Sequence, residues 1–206
     1  MHVTEATQAF RAISDALFDA AISTLQVAKP ALAGVTAEAA GRLVECLAGG
    51  HKILACGNGG SAADAQHFVA ELVNRFETER RPLPALALNT DSSIVTSVGN
   101  DYGFDQVFSK QVQALGCSGD VLLAFSTSGN SANILRAIEA AQDNGMRVVL
   151  LAGRDGGQAA QRLGDDDLAV VVPADATARI QEVHGLLIHV FCRIIDLEFS
   201  AGEADA

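Results

Sequence analysis

Short runs of apolar residues alternate with helix-like segments along most of the chain. Five such runs are bounded by glycine or polar residues: KILAC at 52–56, PALALN at 84–89, DVLLAF at 120–125, MRVVLLAG at 146–153 and LAVVVP at 168–173. Helical spacing predicts further segments at 61–76, 104–115, 132–143 and 177–199, and a Ser/Thr-containing helix after the second run. Continuously apolar strands separated by helices are typical of a parallel sheet that is covered on both faces. The sequence therefore predicts a single α/β domain over 1–206, a three-layer α/β/α sandwich with a five-stranded parallel sheet.

The first fifty residues lie outside this alternation. Their apolar positions recur at near-helical spacing: Phe10, Ile13, Leu17 and Leu25. This spacing predicts an amphipathic helix over 5–28, which Lys29-Pro30 would end. A second helix is predicted over 37–48, stopped by a glycine pair. Because these N-terminal helices, within about 5–48, have no place in the strand–helix alternation, we expect them to form an oligomer interface.

The charge balance and the cysteines exclude several classes of function. The 206 residues include 14 Lys and Arg against 25 Asp and Glu, a formal net charge of −11. This acidity disfavours sequence-independent binding of nucleic acid and attachment to a membrane surface. No apolar run reaches the roughly 18 residues that a membrane span needs, and the start lacks the pattern of a signal peptide. The four scattered cysteines include no CxxC pair. We therefore expect free thiols and a cytoplasmic location.

A glycine-rich loop, CGNGGS at 56–61, follows the first apolar run and opens a helix. Its glycines let the backbone approach a ligand, and the helix N-terminus favours an anion. Gly57, Gly59 and Ala62 also fit the loose G-x-G-x-x-G/A dinucleotide pattern. The acidic residue of that pattern is expected about 20 residues later, whereas Asp91 lies 34 residues after Gly57. A ligand loop and a plain glycine turn are both open at this stage.

A second unusual loop, STSGNS at 126–131, lies between the third apolar run and the next helix. It holds four hydroxyl side chains: Ser126, Thr127, Ser128 and Ser131. Hydroxyls and helix-start amides can bind a phosphate without any lysine. One cap residue would suffice to begin the helix, so the four hydroxyls favour phosphate binding over a cluster of helix caps.

Residues suited to proton transfer or metal binding lie on two of the predicted helices. His67 and Glu71 are four residues apart and share one helix face. The C-terminal helix carries Gln181, Glu182, His184 and His189. His and Glu are ordinary zinc ligands and Gln is a less usual one, but Gln181 and His189 are about 12 Å apart along a helix. A shared metal site and ordinary surface or core histidines therefore both stay open.

Five stretches, taken together and in order, resemble the sugar isomerase (SIS) domain, and within it the bacterial phosphoheptose isomerases, also called sedoheptulose-7-phosphate isomerases. They are CGNGGSAADAQHFVAEL at 56–72, ALNTDSS at 87–93, VGNDYGFDQVFSKQV at 98–112, GDVLLAFSTSGNSANI at 119–134 and RIQEVHGLLIH at 179–189. The resemblance covers about residues 50–195. It implies a flavodoxin-like fold and the isomerisation of sedoheptulose 7-phosphate to D-glycero-D-manno-heptose 7-phosphate, through an enediol(ate), on the route to ADP-heptose for lipopolysaccharide.

The resemblance also implies roles for individual positions. Glu71 matches the catalytic base and His189 its partner acid/base, and Arg75 matches a further residue implicated in activity. Substrate contacts are implied for Asn58, Gly59, Gly60, Ser61, Glu71, Asn100, Asp101, Ser126, Thr127, Ser128, Ser131 and Gln181. A site for one zinc ion per subunit is implied at His67, Glu71, Gln181 and His189. The implied assembly is a homotetramer with active sites at the subunit interfaces.

Other SIS proteins offer competing functions. A non-catalytic paralogue that binds the bacterial replication initiator and regulates DNA replication also resembles the chain, including NRFETER at 74–80. That paralogue lacks the histidine matching His189 and varies the NDYGF segment at 100–104, so the presence of both here favours the enzyme. Sugar-phosphate sensors of this family are usually fused to a DNA-binding domain, and no helix-turn-helix segment with basic flanks is visible. A nicotinamide-dependent enzyme is disfavoured because the ribose-binding acid is missing.

Overall fold

Five parallel strands form the centre of the molecule. The structure, a computed structural model, describes residues 2–200. The strands are β1 (Ile53–Cys56), β2 (Ala85–Ala87), β3 (Val121–Ser126), β4 (Arg147–Gly153) and β5 (Leu168–Val172). Their order in the sheet is β2-β1-β3-β4-β5, and every neighbouring pair is parallel. The predicted sheet is confirmed, and its strand order is that of flavodoxin-like folds.

Helices cover both faces of this sheet. They are α1 (His2–Ala48), α2 (Gly60–Val73), α3 (Ser92–Asp101), α4 (Ser109–Leu115), α5 (Ala132–Asp143), α6 (Gly157–Gln161) and α7 (Thr177–Ser200). Alternate residues of β3 point to opposite faces: Leu123 and Phe125 pack in one core with α1, α2 and α7. Leu122 and Ala124 pack in the other core with α4, α5 and α6. The three-layer sandwich is therefore confirmed.

The predicted break at Lys29-Pro30 is wrong, because one helix, α1, continues through Pro30. Proline inside a helix removes one hydrogen bond and costs about 3 kcal/mol. Pro30 is exposed, while Ala28 and Leu32 on either side of it are buried in the core. Full burial of a leucine contributes about 1.5–3 kcal/mol. Packing of this segment and of the turns that follow it therefore outweighs the local preference of the proline.

Smaller differences from the predicted elements lie at loops. The segment predicted as a helix over 104–115 is a 3₁₀ turn, Phe104–Gln106, followed by α4. The 3₁₀ turn follows Gly103, which has φ of +103°, a value that breaks regular helix. Helix α2 ends at Val73 instead of residue 76, and the five-residue α6 is too short for its periodicity to be recognised. Within residues 2–200, no helix has both the length and the apolar character needed to cross a membrane.

Candidate active site

The two unusual loops meet at the point where the strand order reverses. The glycine loop follows β1 and the hydroxyl loop follows β3, and these strands are neighbours. Helix α2 leaves toward one face of the sheet and α5 toward the other. In open α/β sheets a crevice forms at such a switch point and binds ligands. Asn58 and Asn133 join the two sides with reciprocal amide hydrogen bonds of 2.8 Å.

The glycine loop is shaped by its backbone and by the side chain of Gln181. Gly59 has φ of +56° at the N-terminal cap of α2, a conformation that favours glycine. A Cβ on Gly60 would collide with the amide group of Gln181. Gly60 therefore leaves the room that Gln181 of α7 occupies at the start of α2. Ser61 follows and is buried.

The hydroxyl loop leaves polar groups available at the start of α5. Ser126 is buried, and its Oγ has no hydrogen-bond partner. Ser131 occupies the N-cap position, yet its side chain makes no capping hydrogen bond. Ser128 Oγ accepts a hydrogen bond from the Asn130 backbone N–H, and Thr127 is half-buried. The alternative of a helix-cap cluster is thus disfavoured, and the loop is suited to a phosphate at the helix N-terminus.

A second group of functional side chains lies between α2 and α7. His67 Nε2 is 3.3 Å from Glu71 Oε1. The rings of His67 and His189 are 5.2 Å apart, centroid to centroid, in an edge-on arrangement. His189 also stacks on Phe76 at 5.5 Å. The structure therefore gathers Glu71, His67 and His189, from two different helices, into one cluster.

Gln181 lies at the start of α2. Its amide group lies against Gly60. Gly60 precedes His67 by seven residues on α2, which is about 10 Å along a helix. Among residues 2–200, no group of three or more His, Cys, Asp or Glu side chains is arranged to hold a metal ion. The donor types suit zinc, and the zinc site at His67, Glu71, Gln181 and His189 stays a prediction.

The second sugar contact implied by the resemblance lies at the end of α3. Asn100 and Asp101 are exposed at the end of α3, where the Asn100 amide donates to the Asp101 carboxylate at 2.9 Å. A cavity of about 190 Å³ lies between the glycine loop and the segment that follows α3. Its lining includes Asn58, Asn89 and Phe104. Arg75, the other implied residue, forms an exposed ion pair with Glu79 at 2.8 Å.

Sequence reasoning missed Asp64, which lies three residues before His67 on α2. Its Oδ2 atom is buried without a hydrogen-bond partner. Burial raises the pKa of this carboxyl to about 6, and the charge of His67 offsets part of the rise. The spacing 64, 67 and 71 places Asp64 on the same helix face as His67 and Glu71. That spacing was the available signal.

His184 is a core residue and lies outside the cluster. It is fully buried, its Nε2 lies 3.1 Å from the Ala152 carbonyl oxygen, and its ring meets Phe125 edge-on. Burial lowers the pKa of His184 to about 4, although the hydrogen bond to Ala152 raises it in part. His184 is therefore an ordinary core histidine, which is one of the two interpretations that the sequence left open for the histidines.

This buried imidazole predicts a loss of stability in acid. Between pH 6.5 and about pH 4 the unfolded chain binds a proton at His184 that the folded chain does not, so the free energy of unfolding falls as the pH falls. Glutamine does not titrate, so His184→Gln should escape this loss. We expect the free energy of unfolding of the unaltered protein to fall by about 2 to 3 kcal/mol more than that of His184→Gln between pH 7.5 and pH 4.5. Urea unfolding at both pH values measures this, and a pH-independent difference would contradict it.

Comparisons with known proteins place these features in a family. The SIS domain pattern matches residues 16–153. A phosphoheptose isomerase of Shewanella loihica is 57% identical over 179 residues, which are 87% of this chain and 91% of that protein. The solved phosphoheptose isomerase of Neisseria gonorrhoeae superimposes with a TM-score of 0.87 at 52% identity, over 91% of this chain and 99% of that one. The solved phosphoheptose isomerase of Francisella tularensis superimposes with a TM-score of 0.87 at 47% identity, over 89% of this chain and 96% of that one.

Proposed function

The chain belongs to the SIS domain family and, within it, to the phosphoheptose isomerases, and from this premise we propose that it isomerises sedoheptulose 7-phosphate to D-glycero-D-manno-heptose 7-phosphate. The product would feed the synthesis of ADP-heptose for lipopolysaccharide. The observation that carries the proposal is the cluster of Glu71, His67 and His189, a carboxylate and two imidazoles that α2 and α7 bring together. The relatives described above are named as isomerases, which favours this function over replication control.

The reaction needs two kinds of proton transfer. A proton leaves one carbon and returns to its neighbour, while another moves between the two oxygens, through an enediol(ate). A carboxylate suits the first transfer and an imidazole the second. We assign the carbon-bound proton to Glu71 and the oxygen-bound proton to His189. His67, 3.3 Å from the Glu71 carboxylate, orients that carboxylate in this scheme.

The phosphate is assigned to the hydroxyl loop. Ser126, Thr127, Ser128 and Ser131 and the first amides of α5 supply neutral donors, so no basic surface is needed in an acidic chain. Ser126 Oγ is buried without a protein partner, which supports an external acceptor at this position. Anchoring the phosphate away from the reacting carbons converts binding energy into positioning.

The proposal includes one zinc ion per subunit, held by His67, Glu71, Gln181 and His189. The donor types support it, and His67 and Glu71 lie within 3.3 Å of each other. When bound, such an ion polarises the substrate carbonyl. The roles of Glu71 and His189 above are derived without it. Elemental analysis of the purified protein and of its chelated form tests the metal independently of activity.

We also propose that the protein is a cytoplasmic homotetramer. Helix α1 exposes an apolar stripe made of Phe10, Ile13, Leu17, Phe18 and Ile22. An apolar groove of about 370 Å³ lies between α1 and α7. Such surfaces are typical of protein–protein interfaces, and α1 supports assembly with other subunits. Asn100 and Asp101 would then meet an active site across an interface. The four cysteines are free, which supports a reducing compartment.

Charge placed on this stripe should dissociate the tetramer. Phe10 is 67% exposed in the single chain, so Phe10→Glu/Leu17→Glu leaves the fold of one subunit intact while burying charge at the interface. We expect light scattering to show smaller species and turnover to fall with them. Ser23→Glu, on the opposite side of the same exposed helix, is the matched control. A tetramer that survives the double substitution would contradict the assigned interface.

The proposed function is tested by incubation with sedoheptulose 7-phosphate. We expect nuclear magnetic resonance to show the aldose 7-phosphate, and chelation of the metal to lower its rate of formation. Turnover that survives complete removal of metal would refute the zinc site and leave the isomerase standing. Absence of the aldose, together with capture of the replication initiator, would favour the non-catalytic paralogue instead.

A further inference from the structure

A fully buried ion pair joins the end of α2 to α7. Arg80 and Asp196 are both 0% exposed at their side chains, and Arg80 Nε donates to Asp196 Oδ1 at 2.8 Å. The other donors of Arg80 contact main-chain oxygens. Nη2 donates to the carbonyl of Glu71 at 2.7 Å, and Nη1 to that of Leu72 at 3.0 Å. The carbonyls of the last helical turn lack partners within a helix, so Arg80 caps the turn that carries Glu71.

The same pair also fixes the residue that stacks on His189. Asp196 Oδ2 accepts hydrogen bonds of 2.9 Å from the backbone N–H groups of Glu77 and Thr78. Phe76 precedes these residues and stacks on His189 at 5.5 Å. Asp196 itself lies seven residues after His189 on the same helix face of α7. One ion pair therefore sets the backbone of Glu71, the position of Phe76 and the distance of both from α7.

We propose that Arg80 and Asp196 are positioning residues for the isomerisation, which hold Glu71 on α2 in register with His189 on α7. The proposal rests on the function proposed above. An ion pair that served only the fold could be replaced by apolar side chains of similar volume, which often preserves or raises stability. Here the apolar pair would also leave four backbone groups of 71–78 without these partners, so the double substitution should lower both stability and kcat. Comparison with a control ion pair shows whether kcat falls further than the lost stability alone explains.

The test compares two double substitutions. Arg80→Met/Asp196→Leu removes the proposed positioning pair. Lys52→Met/Asp120→Leu removes a second ion pair, 2.5 Å between Lys52 Nζ and Asp120 Oδ2, which joins the amino ends of β1 and β3, away from the two ligand loops. Melting temperature, kcat, KM and the dissociation constant of the sugar phosphate are measured for each. Arg80→Lys, which keeps the charge but lacks the planar fork of donors, is the milder variant if the double substitution fails to fold.

We expect kcat of the Arg80/Asp196 double variant to fall about 10- to 100-fold. Its dissociation constant for the sugar phosphate should change little, because the hydroxyl loop is untouched. Arg80→Lys should also lower kcat. The Lys52/Asp120 double variant should have a lower melting temperature and an unchanged kcat. A double variant with unaltered kcat, or an equal loss in the control, would overturn the positioning role. If the unaltered protein forms no aldose, the proposed function fails, and this inference with it.

Discussion

Glu71→Gln is expected to lower kcat for the isomerisation about 10³-fold, within the range that a general base contributes. The amide keeps the size and shape of the side chain but cannot accept the carbon-bound proton. The hydroxyl loop and the start of α5, to which the phosphate is assigned, are unchanged, so the dissociation constant of the sugar phosphate should stay within about threefold. Single-turnover kinetics and calorimetric titration measure the two quantities separately.

The control for this substitution is Glu139→Gln. Glu139 is a partly exposed carboxylate on α5 that pairs with Arg136 and Arg162, away from the cluster on α2 and α7. It should keep full turnover. If Glu71→Gln keeps a near-normal kcat while the control is also active, Glu71 is not the general base.

His189→Asn is expected to give the second largest effect, a fall in kcat of about 10²-fold or more. The imidazole is the group assigned to move a proton between the two substrate oxygens, and asparagine cannot take up a proton at neutral pH. The ring is exposed and contacts two side chains that are themselves only half-buried, Phe76 and His67, so the melting temperature should change little. Steady-state assays and thermal unfolding of the same preparation check both statements.

His51, at the amino end of β1, provides a matched histidine control. His51 lies just before β1, next to Asp120, and is partly exposed. His51→Asn removes an imidazole of similar exposure at a distance from both ligand loops, and its kcat should equal that of the unaltered protein. Equal activity of His189→Asn and His51→Asn would contradict the role of His189 in proton transfer between the substrate oxygens.

The strands and the ligand loops could be predicted because their signals are local. Each apolar run became a strand within two residues, since continuous burial between two helical layers demands such a run. The hydroxyls of 126–131 and the pair His67 and Glu71 are likewise close together in sequence. Local signals fail where packing from elsewhere decides, as at Pro30, where the core contacts of Ala28 and Leu32 keep one helix intact.

The supports of the site could not be predicted, because they join distant parts of the chain. Arg80 and Asp196 are separated by 116 residues, and their pairing depends on how α7 packs against α2. The amide pair Asn58 and Asn133 is likewise separated by 75 residues. Neither has a sequence spacing that indicates contact. The resemblance transferred roles to positions, whereas only the folded chain shows that Gln181 lies against Gly60.

In the proposed mechanism this chain isomerises a ketose phosphate with Glu71 as the base for the carbon-bound proton. The most direct measurement follows sedoheptulose 7-phosphate by nuclear magnetic resonance in heavy water, with the unaltered protein and with Glu71→Gln side by side. The account predicts that the unaltered protein forms the aldose 7-phosphate and exchanges the transferred hydrogen for deuterium, while Glu71→Gln does neither. Formation of no aldose by the unaltered protein, or equal formation by both, would contradict it.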